Sequence, residues 1–277
     1  RATDRSESDP IVIGGGPCTY NPEPIAPFFD LFYMGEGEVI YDQLLDLYLA
    51  HKEADGDRIS FLKKAAALPG IYVPSLYEPH YREDGTLSSF EPLCPEAPAS
   101  VRRLVMSVLD RADFIDTPLV PFIRVTQDRS VLELMRGCIR GCRFCQAGNV
   151  YRPQREHSVE YLKRYAEKLL KITGNEEISL SSLSSSDYSR LQEFLEYLIQ
   201  YTKERKINIS LPSLRIDAFS LDVMQRIQDV KKSSLTFAPE AGTQRLRNVI
   251  NKGITEEDIM RGVSSAFHGG WTKVKFY

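Results

Sequence analysis

From residue 131 onward, short apolar runs alternate with amphipathic ones at a regular rhythm. The run VLELMRG (131–137) predicts a strand, and a cysteine-bearing loop follows it. Helical spacing of apolar residues covers Val159 to Ile172. EISLSS (177–182) predicts a strand, 187–203 a helix rich in Leu and Tyr, INISL (207–211) a strand and 219–229 a helix. SLTFAP (234–239) is a further strand, helical pattern covers 243–250 and 256–267, and TKVKFY is a fifth strand. Strands alternating with helices in this way predict parallel βαβ units. In such folds the site lies at the carboxyl ends of the strands, where the cysteine loop stands.

The first half has a different texture. PIVI (10–13) reads as a short buried strand, GGGPCTYNPEP as a Gly/Pro-rich turn, and DLFYMGEGE (30–38) as a strand running into a loop. Ile40, Leu44, Leu45, Leu47 and Tyr48 fall at helical spacing. Two extended runs between 71 and 91 flank Asp84-Gly85, which predicts a hairpin. EPLCPEAPAS (91–100) reads as a Pro-rich linker. The division expected is the end of a Rossmann-like domain over 1–45, a connector with a hairpin over 46–125, and an α/β domain over 126–277.

Composition narrows the function classes. The 277 residues carry 35 Lys+Arg against 38 Asp+Glu, a net charge of −3, which gives no support for nucleic acid as a partner. No apolar run has the length of a membrane span. RATDRSESDP has no starting Met and no signal-peptide core, and WTKVKFY stops on a strand, so both ends are expected to be cuts in a longer, cytoplasmic protein. The five cysteines are odd in number and three are clustered, a pattern of metal binding in a reducing compartment rather than of a disulfide framework.

RGCIRGCRFCQAG (136–148) places those three at Cys138, Cys142 and Cys145. A buried helix face would explain the i, i+4, i+7 spacing, but Gly137, Gly141 and the interleaved arginines oppose it. Structural zinc needs four ligands, and the nearest histidine is His157, beyond the start of the next predicted element. An iron–sulfur cluster with one iron left open needs three.

CxxxCxxC with an aromatic residue before its last cysteine resembles the radical S-adenosylmethionine (SAM) superfamily. That resemblance implies a partial (β/α)6-type barrel, a 4Fe–4S cluster on Cys138, Cys142 and Cys145, and SAM chelated by the open iron. It implies an enzyme that cleaves SAM reductively to a 5′-deoxyadenosyl radical, with a flavodoxin- or ferredoxin-type reductant. Phe144 would stack on adenine. Arg136, Arg140 and Arg143 would lie beside the anionic cluster, or be solvated loop charge. In SLSSLSSSDY (179–188), where many relatives have a Gly-rich turn for the methionine amino group, Ser182 and Ser184 are the candidates, the alternative being a helix cap before Asp187. Arg215 could reach a carboxylate or pair with Asp217. FAPEAGTQRLRNVINKGIT (237–255) resembles the strand-four segment of the family: Glu240 would hold the ribose hydroxyls and Arg245 the SAM carboxylate. Ala241 replaces the usual Ser, and Asn251-Lys252-Gly253 reads as a helix end with a Gly cap.

IVIGGGPCTYNPEPIAPFFDLFYMGEGE (11–38) resembles the closing third of a cobalamin-binding domain placed ahead of many radical enzymes. Cobalamin is thus a cofactor that the resemblance allows for the full-length protein. The Asp-x-His-x-x-Gly segment that supplies a cobalt ligand is not in this chain. Two other readings share the motif: a methylthiotransferase-like RNA modifier, which would need a second cluster, and a non-catalytic electron-transfer or regulatory iron–sulfur protein, which would need a fourth thiolate.

Overall fold

The structure is a computed structural model that describes residues 1–111, 115, 117–123, 125–211, 215–218 and 235–277. The chain forms two compact units, Arg1–Ser107 and Val108–Tyr277.

In the first unit, β1 (Ile13–Gly14) runs parallel to β2 (Leu31–Tyr33), and β3 (Ile71–Tyr72) joins β2 antiparallel. The helix predicted after Ile40 is α1 (Tyr41–Glu53). A second helix, α2 (Arg58–Ala66), was not foreseen; Asp57 caps it by accepting the Ser60 N–H, and Phe61, Leu62, Ala65 and Ala66 are buried on one face. The hairpin around Asp84-Gly85 forms as β4 (Tyr77–Tyr81) and β5 (Leu87–Pro92). Much of the expected connector therefore shares the first unit's core, in which Phe61, Ile71, Leu76, Tyr77 and Ala97 join Leu31, Phe32 and Tyr33. Helix α2 supplies the reason: its apolar face has to be covered. Asp30 is buried beneath, neutralised by Arg5 at 3.1 Å and Arg58 at 2.7 Å.

The second unit is built on β6 (Ser130–Glu133), β9 (Glu177–Ser181) and β10 (Asn208–Ser210), parallel and ordered β10-β9-β6. A second parallel pair joins β11 (Leu235–Phe237) to β12 (Val274–Phe276). Helices α4 (Val159–Thr173) and α5 (Leu191–Lys203) connect β6 to β9 and β9 to β10. Ser158 caps α4 by accepting from Tyr161 N, and Gly174 ends it in the left-handed conformation at φ 68°. Val159, Leu162, Ala166, Leu169 and Leu170 form its buried stripe. Two helices follow β11: α6 (Gln244–Val249) and α7 (Glu256–His268), the latter opened by a capping box of Thr255 and Asp258. These are the parallel βα units expected of an α/β protein. The helix expected at 219–229 lies outside the described residues. Among the described residues no helix is long and apolar enough to cross a membrane.

One predicted strand proves to be two. VLELMRG breaks at Leu134 into β6 and a short β7 (Met135–Arg136), which pairs antiparallel with β8 (Arg155–Glu156). Leu134 keeps both partners at the break, donating to Ser181 O at 2.9 Å and accepting from His157 N at 3.0 Å. The chain leaves the sheet here, makes the cysteine loop, and returns alongside itself.

Candidate cluster and cofactor site

The loop between β7 and β8 holds Cys138, Cys142 and Cys145, all free and half-buried. Its neck is tight. Gly137 has φ +85°, and a Cβ there would lie 2.6 Å from Tyr151 O and 2.7 Å from Pro153 O. Buried Arg155 donates to those same carbonyls, at 3.3 and 2.9 Å, and so fastens the returning strand. A one-turn helix, α3 (Ala147–Val150), follows Cys145. The Cys138 sulfur accepts the Arg140 N–H at 3.4 Å, and Cys142 O accepts from Cys145 N at 3.1 Å. A cavity of about 270 Å³ is lined by Cys142 with Arg140, Arg143 and Arg152. His157, the nearest histidine, is 1% exposed and held by Asp110 at 3.0 Å. Burial lowers its pKa below the ordinary 6.5, against the pull of Asp110. Among the described residues, no three His, Cys, Asp or Glu side chains are gathered to hold a single metal ion.

The turn after β9 meets this loop. Arg140 pairs with Asp187, Nε to Oδ2 at 2.8 Å, and Ser184 Oγ donates to the same Oδ2 at 2.8 Å. Ser182 and Ser185 share a hydroxyl contact at 2.9 Å. Ser184 precedes the Ser185–Asp187 turn but makes no side-chain capping bond to its backbone; its hydroxyl donates to the carboxylate instead, and its oxygen retains capacity to accept. Asp187 is the residue that sequence reasoning passed over, because a carboxylate beside serines looks like a local cap. Burial would raise its pKa, but hydrogen bonds from Arg140 and Ser184 outweigh that and hold it below the ordinary 3.8. A carboxyl whose folded pKa is depressed adds stability fully above its unfolded value, about 4, and loses that contribution as pH falls through the folded value. Asp187→Asn is therefore expected to lower stability at pH 7 and to flatten part of the acid-side loss. Denaturant midpoints measured between pH 7 and pH 3 would check this; identical curves for variant and wild type would contradict it.

The remaining candidates follow β10 and β11. Arg215 is 9% exposed and paired with Asp217 at 3.0 Å, and also donates to Lys252 O at 3.1 Å. Its guanidinium is committed to the protein, the second of the two alternatives. Glu240 sits just beyond β11 at φ +67°, its N–H bonded to Tyr277 O at 3.0 Å and its carboxylate to Lys252 Nζ at 3.3 Å. Phe144 is 53% exposed, with the Lys252 ammonium 5.8 Å from its ring centre. The structure thus brings Phe144 and Glu240 onto one lysine. Arg245 is exposed on α6. The buried arginine of that helix is Arg247, spent on Ile254 O at 3.0 Å and Ala241 O at 3.0 Å. Asn251 and Lys252, read from sequence as a plain helix end, reach back to the cysteine loop: Asn251 Nδ2 donates to Gly141 O at 2.8 Å.

Residues 132–276 match the family model of the radical SAM superfamily, and residues 1–74 that of the N-terminal region of radical SAM proteins. An uncharacterized protein of Methanocaldococcus jannaschii is 30% identical over 280 residues, covering 99% of this chain and 52% of the relative. The chain spans about half the length of the curated relatives it matches. Among solved structures, the cobalamin-dependent SAM radical enzyme OxsB, with aqua-cobalamin and SAM bound, superposes with a TM-score of 0.60 at 15% identity, covering 96% of this chain and 36% of that one. The radical SAM methyltransferase TsrM from Kitasatospora setae, with tryptophan substrate and a SAM analog bound, gives 0.56 at 13%, covering 96% and 49%. At those identities the likeness is one of fold.

Proposed function

We propose that this chain, which belongs to the radical SAM superfamily, carries the part of an enzyme that binds a 4Fe–4S cluster through Cys138, Cys142 and Cys145 and cleaves SAM reductively. One observation carries the reading. Three half-buried thiols share a loop at the carboxyl end of β6, in a fold whose other candidate groups, Ser182, Ser184 and Glu240, follow the carboxyl ends of parallel strands. The donor set fits the group. Each thiolate of such a cluster takes its own iron, so the three sulfurs need not converge on one ion, and Arg143, whose guanidinium donates to the Val249 carbonyl, adds positive charge to the same loop. When bound, such a cluster would supply one-electron reduction of the SAM sulfonium, giving methionine and a 5′-deoxyadenosyl radical, with the electron drawn from a flavodoxin- or ferredoxin-type donor.

The chain's own residues bind and orient. Glu240 takes the ribose hydroxyls, and Lys252 holds its carboxylate in place. Phe144 offers a ring face to adenine. Ser182 and Ser184 offer hydroxyl oxygens to the amino group, and Arg245 a guanidinium to the carboxylate of SAM. Cobalamin belongs to this proposal only for the full-length protein. Of the first unit's histidines, His51 is buried against Asp57 O at 2.9 Å and His80 lies 3.9 Å from Glu91. Neither is set in a cobalt-ligating segment, so no residue here is assigned to cobalt.

Glu240→Gln and Arg245→Ala are each expected to weaken SAM binding while leaving iron content alone. A lost charge-assisted hydrogen bond corresponds to roughly 1.5–3 kcal/mol, about tenfold or more in affinity. Equilibrium dialysis of SAM against the anaerobically reconstituted full-length protein measures it. Unchanged affinity in both variants would return these residues to a structural role.

A further inference from the structure

The corner Val249–Lys252, where α6 ends, touches both sides of the proposed site. Towards the cysteine loop it makes three bonds. Arg143 N–H donates to Ile250 O at 2.9 Å, the Arg143 guanidinium donates to Val249 O, and the Asn251 amide donates to Gly141 O at 2.8 Å. Towards the strand-four side, Lys252 Nζ donates to Glu240 at 3.3 Å, and the same ammonium lies 5.8 Å from the ring centre of Phe144 in the cysteine loop. The contact is close by construction: a Cβ at Gly141 would stand 3.0 Å from Asn251 Nδ2. Asn251 itself has φ +54°, a conformation in which Asn is enriched among residues other than Gly. Adjacent residues of one corner therefore hold the cysteine loop and the carboxylate proposed for the ribose.

We propose that this corner couples the two, with Asn251 and Lys252 as positioning residues: occupation of Glu240 by the nucleoside part of the cofactor is transmitted to the Gly141–Phe144 segment. The inference rests on the functional reading above. Its physical basis is competition. Hydroxyls donating to Glu240 take over acceptor capacity now used by Lys252, and that ammonium is shared with Phe144 and sits one residue from Asn251. A ligand shifts a conformation only as far as its contacts differ between the two states, and here the differing contact is identified. The coupling changes how firmly the loop around Cys142 is held when the cofactor is present.

The test uses 5′-deoxyadenosine, which has the ribose hydroxyls and adenine but no amino-acid group with which to chelate an iron. Its adenine would also touch Phe144 of the loop directly, so only a response that both Asn251 variants lose is one transmitted through the corner. The full-length protein, free of cluster and then loaded, is compared with Asn251→Gly and Asn251→Asp variants. Glycine keeps the left-handed backbone free of strain, whereas aspartate keeps the side-chain size; both remove the amide donor. Binding of the probe to wild type is expected to change hydrogen exchange at the Arg143 amide by about threefold to tenfold, the size of one net hydrogen bond. It is also expected to shift the electron paramagnetic resonance spectrum of the reduced cluster. Both variants should bind the probe and lose both responses. Binding to wild type without either response, or equal responses in wild type and both variants, would overturn the coupling alone. No binding of the probe to loaded wild type would overturn the reading of Glu240 and the coupling with it.

Discussion

Replacing Cys138, Cys142 and Cys145 together by alanine is expected to abolish iron and sulfide binding, the largest change any substitution in this chain should produce. Wild-type full-length protein, reconstituted anaerobically, should hold about four irons and four sulfides at this loop, seen as thiolate-to-iron charge-transfer absorbance. The thiolates are the bonds that hold such a cluster, so nothing remains to retain it in the triple variant. Cys18 is exposed and Cys94 half-buried, both in the first unit, and alanine at either should leave the absorbance intact. Iron retained in the triple variant, or stoichiometric zinc in wild type purified anaerobically, would refute the assignment.

Gly137→Ala should produce the second-largest effect, although no atom of Gly137 is a proposed ligand. Two separate costs add. The φ of +85° is strained for alanine, by about 1–3 kcal/mol. The new methyl would also meet two backbone carbonyls, of Tyr151 and Pro153, at 2.6 and 2.7 Å. Backbone cannot swing aside as a flexible side chain can, so the neck between β7 and β8 must open. Gly174→Ala supplies the control. Its φ of +68° carries the same kind of strain, but a Cβ there meets nothing within 4 Å. Thermal unfolding of the two variants separates the costs, at roughly 2–4 °C per kcal/mol for a chain of this size. Gly137→Ala should fall further and should also lose iron on reconstitution, while Gly174→Ala should keep it. Equal melting points with full iron content in both would show that the neck does not position the cysteines.

Particular residues show how far the sequence reaches. The βα rhythm after residue 130 was legible because each element obeys its own local rule: α4 has a buried stripe at helical spacing, an N-cap serine and a C-terminal glycine, all readable without knowing what the helix packs on. The hairpin at Asp84-Gly85 was legible for the same reason. The triple cysteine was legible because ligand number and spacing are chemistry carried by the chain itself. Helix α2 was not: its nine residues have a weak pattern, and its existence depends on a core that includes residues well outside it. The split of one apolar run into β6 and β7 was invisible because the pairing that causes it comes from β8, about twenty residues on.

Within the site the same division holds. Sequence alone determined which residue types could hold a cluster and which could grip an amino acid or a ribose, since those capacities belong to single side chains. Only tertiary structure decided how each was used. Arg215 proved committed to Asp217, Arg140 to Asp187, and Asn251 and Lys252 became the link between the cysteine loop and Glu240. The physical reason is that a polar side chain takes the partner that folding places within about 3 Å of it. That neighbour can be two residues away, as for Arg215, or 110, as for Asn251 and Gly141; no local pattern in the chain records which.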